Sequence, residues 1–271
     1  MEHDIGTFLR ARRAPVSPEA RGLVVTGHRR VPGLRREETA QLAGVSVEYY
    51  VRIEQGRTPN VSDDVLDAVA GALGLSPAAR EHLGTLARGR PISDVPRERR
   101  QVPQSVTNLL AAMDAIPAFV LGRRTDVLTY NAMADRVFGC GSWDGNAARF
   151  TFLDPRARRL HEDWNRLAAD TVAFLSSAAG CHPDDESLAT LIAELADADR
   201  TFAELWARHD VHEHHAGPVR VHHTAAGALD LEFQSLMVPG EPDIIMYTYV
   251  AATDQAAARL HALGRSSRAA A

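Results

Sequence analysis

The chain has 271 residues, 45% of them hydrophobic and 24% charged, with two cysteines, a composition that excludes a disordered chain, a collagen-like repeat and a disulfide scaffold. No apolar run approaches the ~18–20 residues that span a bilayer. The start, Met1-Glu2-His3-Asp4, is acidic where a secretory signal is basic, so a cytoplasmic protein with no membrane partner is expected. The net charge of −5 is uneven: residues 1–100 hold 16 Arg against 13 acidic residues, residues 101–271 hold 14 against 22, and lysine is absent. A basic first part suits nucleic acid, because guanidinium meets phosphate with two parallel donors.

Residues 5–13 place Ile5, Phe8 and Leu9 on one face at helical spacing. Residues 14–33, with three Pro and three Gly, read as an irregular arm. From 34 to 88 the pattern is helical in short pieces, broken at Gly44, Gly56, Pro59, Gly74 and Pro77. Gly89, Pro91, Pro96 and Pro103 then bracket an Arg-rich stretch with the character of a linker. Beyond it, residues 105–114 read as helix and residues 118–121 and 127–130 as a hairpin. A helical region runs from about 131 to 209, interrupted near 139–145, 154–155 and 182–183. Strands return at 219–224, 229–238 and 244–250. In the middle one Leu229, Leu231, Phe233, Ser235 and Met237 alternate with Asp230, Glu232, Gln234 and Leu236, the period of a half-buried antiparallel strand. The tail after 254 reads as a fraying helix. The expected organisation is an all-α domain (1–88), a linker (89–104), an α+β domain with a five-stranded antiparallel sheet and helices (105–252), and a tail (253–271).

The most informative stretch is residues 34–56, LRREETAQLAGVSVEYYVRIEQG. Gly44 suits the left-handed residue that ends a helix, and Ser46 is a good N-cap for the next. Tyr50 and Ile53 fall on one face of that second helix, to pack on Ala40 and Val45, leaving Val47, Glu48, Tyr49 and Arg52 outward. A short helix, a tight turn and a capped second helix form a helix-turn-helix that presents a recognition helix to the major groove of double-stranded DNA. The candidate DNA-binding residues are Arg35, Arg36, Ser46, Val47, Glu48, Tyr49, Arg52 and Arg57. Arginine can grip phosphate or read guanine O6 and N7, Val47 can touch a thymine methyl and Glu48 can accept from cytosine. Glu48 can equally be a solvated partner of Arg52. Modules of this size bind as dimers on two half-sites, so a homodimer is expected.

The Ala-Gly-Val-Ser turn and the Glu54-x-Gly56 ending resemble helix-turn-helices of the phage-repressor and xenobiotic-response-element (XRE) type. Arg36 stands where many members have Gln. The chain resembles the MmyB-like regulators more closely, through Arg29-Arg30-Val31-Pro32-Gly33-Leu34-Arg35-Arg36-Glu37-Glu38 and Val45-Ser46-Val47-Glu48-Tyr49-Tyr50-Val51-Arg52-Ile53-Glu54-Gln55-Gly56-Arg57. Further on, Pro117-Ala118-Phe119-Val120-Leu121, Asp126-Val127-Leu128-Thr129-Tyr130-Asn131 and Trp206-Ala207-Arg208-His209-Asp210-Val211 are also similar. The resemblance implies a DNA-binding domain followed by a PAS-like sensor domain, which in some relatives holds a fatty acid.

In the second half, Val219, Val221 and His223 share a face if Phe233 points inward. His223, Phe233, Trp164, Trp206 and Met246 are the candidate ligand-binding residues for an apolar small molecule such as a fatty acid. Six histidines crowd residues 207–223 (His209, His212, His214, His215, His222, His223), but not at the i, i+4 spacing of a helical metal site, so no metal site is assigned. His209 and His223 alone sit where the resemblance expects histidine. No G-x-S-x-G elbow, G-x-G-x-x-G or phosphate loop occurs, so no catalytic residue, resident cofactor or enzymatic activity is expected. Two further readings stand beside a ligand-sensing regulator. The second half could serve only to dimerise or to dock a protein, or the histidine cluster could form a metal sensor or metalloenzyme.

Overall fold

A computed structural model describes residues 5–23, 29, 31–58, 61–88, 102–208 and 215–266. The first helices are α1 (Ile5–Arg13), α2 (Arg36–Leu42), α3 (Val47–Glu54), α4 (Asp63–Leu73), α5 (Pro77–Arg88) and α6 (Gln104–Ala112). Strands β1 (Ala118–Gly122) and β2 (Val127–Tyr130) precede α7 (Ala132–Phe138), α8 (Ala147–Leu153), α9 (Pro155–Leu160), α10 (Trp164–Cys181), α11 (Glu186–Ala198) and α12 (Arg200–Arg208). Strands β3 (Ala216–His223), β4 (Gly227–Val238) and β5 (Glu241–Ala251) and helix α13 (Asp254–Ser266) complete the chain. No helix among the described residues is long and apolar enough to cross a membrane. The expected linker, residues 89–104, falls mostly outside the described residues.

The chain divides into two compact units. One takes its residues from Met1–Asp94, Val172–Ala196 and Arg200–Glu213, and the other from Val95–Thr171, Asp197–Asp199 and His214–Ala271. The partition is not contiguous. Most of α10, α11 and α12 belongs with the N-terminal helices.

In the helical unit, Ile5, Phe8 and Leu9 of α1 join Ala40, Tyr50, Ile53, Leu66, Val69, Leu73 and Leu83 in one core. Phe8 meets the buried His82 of α5 edge-on at 5.2 Å. Gly180 of α10 lies so close to that imidazole that a Cβ there would stand 2.5 Å from it. A small residue is therefore required at this position for steric reasons, in a helix where glycine otherwise costs about 1 kcal/mol.

The sheet unit carries one antiparallel sheet in the order β2-β1-β5-β4-β3. Asn131, 8% exposed, explains how the first hairpin is anchored. Its Oδ1 accepts from Ala134 N (2.8 Å), capping α7, and from Ala118 N (3.1 Å), while Nδ2 donates to the carbonyls of Met113 and Ile116. Asn146 and Asp154 cap α8 and α9 in the same manner, the latter with Pro155 in the first turn. The strand registers divide the sheet into two faces. On one, Ala118, Val120, Ile244 and Met246 pack beneath Val106 and Leu110 of α6. On the other, the pairs Phe233↔Tyr249, Ser235↔Tyr247, Leu231↔Val219 and Leu229↔Val221 align their side chains. The alternation read in β4 holds for the buried Leu229 and Leu231 but fades by Met237, which is 74% exposed where β4 turns into β5.

Candidate nucleic-acid interface and ligand site

The helix-turn-helix is built by local chemistry at each joint. Gly44 takes φ +66° after α2, a conformation that strains any residue with a Cβ, and Val45 N bonds back to Ala40 O at 3.0 Å. The Ser46 hydroxyl accepts from Tyr49 N (3.1 Å) and opens α3. Tyr50 and Ile53 are buried, as the spacing predicts, and Glu54 is buried beside them. The arm before α2 is fixed by Arg29, whose guanidinium grips Glu38 through both carboxylate oxygens (2.6 and 2.8 Å) and donates to Gly33 O (2.8 Å). Gly33 passes so near the α1 carboxy-terminus that a Cβ would overlap the Ala14 carbonyl oxygen. These contacts account for Arg29, Gly33 and Glu38 in the motif as structural residues.

Among the expected DNA-contacting residues, Ser46, Val47, Glu48, Arg52 and Arg57 are exposed, and Tyr49 is half-buried. Arg52 does not pair with Glu48; its guanidinium lies 5.6 Å over the Tyr49 ring, which pre-orients the two side chains together. Arg35 is partly exposed and approaches Glu37 at 3.9 Å. Arg36 is engaged differently. It donates to Glu54 Oε1 from Nε (2.9 Å) and Nη2 (2.6 Å), and Arg13 approaches the same carboxylate at 3.5 Å. The buried Glu54 thereby ties α1, α2 and α3 together. Two arginines flanking one buried acid were not legible as a set, because they are distant in sequence.

On the sheet face opposite α6, aromatic side chains converge around Phe119. Its ring lies 5.3 Å from Trp143, 5.5 Å from Tyr247, 5.7 Å from Tyr249 and 6.0 Å from Phe138. Phe138 meets Tyr249 at 4.6 Å and stacks on His161 at 6.3 Å; Trp143 stacks on Phe150, and Phe233 meets Tyr249 at 6.3 Å. Burial alone lowers the His161 pKa to about 4, so its ring is neutral at physiological pH. Burial also pushes the Tyr247 phenol up to about 12, and Tyr249 higher still, the Asp170 carboxylate adding to both.

Comparison with known proteins places this arrangement. A family described as the MmyB-like transcription regulator ligand binding domain matches residues 102–263, and one described as a helix-turn-helix domain matches residues 4–83. The chain belongs to the MmyB-like transcription regulators. No curated protein matches it. It is thus a ligand-responsive, DNA-binding transcription regulator, with an all-α helix-turn-helix region followed by an α+β ligand-binding domain.

In this MmyB-like regulator the five expected ligand-binding residues are not brought together. Phe233 sits on the aromatic face. His223 shares that face, but its Nε2 bonds the Arg136 carbonyl (3.0 Å) and its Nδ1 accepts from Ala225 and Ala226 N, which pins the β3–β4 turn. Met246 points to the opposite face, under α6. Trp164 donates to Thr151 O and packs beneath Arg158 and against Phe152. Trp206 belongs to the helical unit, stacked on Phe202. Phe119, Trp143, Tyr247, Tyr249 and His161, which pack on or against the aromatic face, were not among the expected residues. The strands β1 and β5 were visible in the sequence, but which strands adjoin, and in what register, was not. His209, His212 and His214 lie outside the described residues; His215 approaches Ser235 and His222 approaches Glu162, so these two side chains are not convergent on one point.

Proposed function

We propose that this regulator binds double-stranded DNA as a homodimer, reading sequence with the exposed face of α3, and that an apolar small molecule on the aromatic face of the sheet sets its DNA affinity. The observation that carries this reading is the convergence of Phe119, Phe138, Trp143, Tyr247 and Tyr249 on one face of the family's ligand-binding domain. Aromatic surface with a few polar groups is the usual lining of a small-molecule site. On the DNA side, Val47, Glu48, Tyr49 and Arg52 supply base-reading chemistry, and Arg35 and Arg57 supply phosphate contacts. Ligand can change DNA affinity only by binding the competent and incompetent states unequally. A second reading has support in the same contacts: rings packed at 4.6–6.3 Å fill a core by themselves, as a domain that only dimerises or docks a protein would require.

Selection from a random DNA pool with the full chain tests the first half of the proposal. The enriched duplex should carry two half-sites centred about one helical turn apart. Arg52→Ala should weaken binding to it by about 1–3 kcal/mol relative to a scrambled duplex. Equal loss on both duplexes would reassign Arg52 to phosphate, and no enrichment would overturn sequence-specific recognition. Native mass spectrometry of the same protein tests the dimer and any copurified organic mass.

A further inference from the structure

The aromatic face carries an imidazole whose polar edge the fold does not use. His161 directly follows α9; its backbone N–H bonds to Ala157 O (3.0 Å), and its backbone bridges to Val221 of β3. Held from both sides, it lays its ring flat on Phe138, with 3° between the planes, and Phe138 in turn meets Tyr249 of the sheet. The side chain is half-buried: neither ring nitrogen hydrogen-bonds to a described residue, and neither is sealed from solvent. His223, on the same face, instead commits both its nitrogens to backbone groups.

Enclosure and access at one ring point to a guest. Burial is the whole cause of the lowered His161 pKa, so protein atoms have displaced much of the water around the imidazole. Its nitrogens stay reachable, and an enclosed ring without a partner gains from any group that restores a hydrogen bond there. The neutral imidazole offers one N–H and one bare nitrogen, both along the edge that its stack on Phe138 leaves open. A carboxylate, ester or ketone oxygen only accepts, and can meet the N–H alone. A hydroxyl donates to the bare nitrogen or accepts from the N–H, so it satisfies whichever nitrogen it meets.

We infer that His161 is the hydrogen-bonding residue of the ligand site, and that the sensed molecule sets a hydroxyl group against the imidazole edge and an apolar body along Phe138 and Tyr249. This rests on the reading that the ligand occupies the aromatic face. It names an alcohol where the family resemblance suggests a fatty acid.

The test is titration of the full chain at neutral pH with 1-octanol and with 1-chlorooctane, which differ only in the terminal group, followed by tryptophan fluorescence, since Trp143 stands in the aromatic cluster. His161→Phe keeps a ring to stack on Phe138 and removes both nitrogens. It should weaken octanol by about five- to tenfold and leave chlorooctane within about twofold. His161→Gln restores a donor and an acceptor and should recover part of the octanol loss. Thermal melting confirms that the variants remain folded. Octanol unchanged in His161→Phe, or both probes weakened alike, would overturn the inference while leaving the ligand site in place, the second result making the ring a packing residue only. Octanoate binding more tightly than octanol would overturn the hydroxyl assignment. Failure of the folded wild-type chain to bind any of these probes would remove the aromatic face as a site for an apolar ligand, and this inference with it.

Discussion

Glu54 and its arginines decide how the recognition helix is held. The carboxylate is 1% exposed and takes two hydrogen bonds from Arg36, so removing its charge strands guanidinium groups against a buried position. Glu54→Gln should lower stability in urea unfolding by about 2 kcal/mol, less than for a fully buried pair because the Arg36 side chain is 45% exposed. Arg36→Ala separates the two roles open to that residue. If Arg36 is committed to Glu54, the variant loses stability but keeps the salt dependence of DNA binding. A slope smaller by about one would instead make it a phosphate contact. Sequence marked Arg36 as basic and near the recognition helix; nothing local marked Glu54 as buried.

His161 gives the sheet unit its own pH dependence. Its pKa falls from 6.5 to about 4 on folding, so between these values the unfolded chain binds more protons than the folded one. Its contribution to stability is complete above pH 6.5 and is lost as pH falls towards 4. His161→Phe, which keeps a ring to stack on Phe138, should flatten the decline in melting temperature across that window relative to wild type. An unchanged profile would mean that the ring is not neutralised by burial.

At the scale of elements, the strands and most helices were legible because their causes are local. Pro155 after Asp154, Gly44 before Ser46 and the alternation at Leu229 and Leu231 each announce a boundary or a face. Partners were not legible. Periodicity shows that α11 and α12 have apolar faces but not what covers them, and these helices, with the later part of α10, pack in the unit of the helix-turn-helix. The contact of Gly180 with His82 tests that grouping. Gly180→Ala should destabilise the helical unit despite alanine's better helix propensity, and His82→Ala should recover part of the loss in a double-mutant cycle. Additive effects would contradict the contact. The same limit applies to the candidate site, since Met246 and Phe233 differ only in which face the β4–β5 register gives them.

For the whole molecule, the family's ligand-binding stretch runs from 102 to 263, yet part of it, within 172–208, folds with the DNA-binding helices. A segment that is sensor by family and DNA-binding unit by packing is a route by which ligand and DNA can share one equilibrium. Such coupling is reciprocal: the factor by which ligand changes DNA affinity must equal the factor by which DNA changes ligand affinity. The most direct measurement is fluorescence anisotropy of the full chain on its selected duplex, without and with a saturating probe that binds the aromatic face. The account predicts a shift in DNA affinity of at least about fivefold, matched by the reverse titration. An unchanged DNA affinity with the probe bound would contradict it.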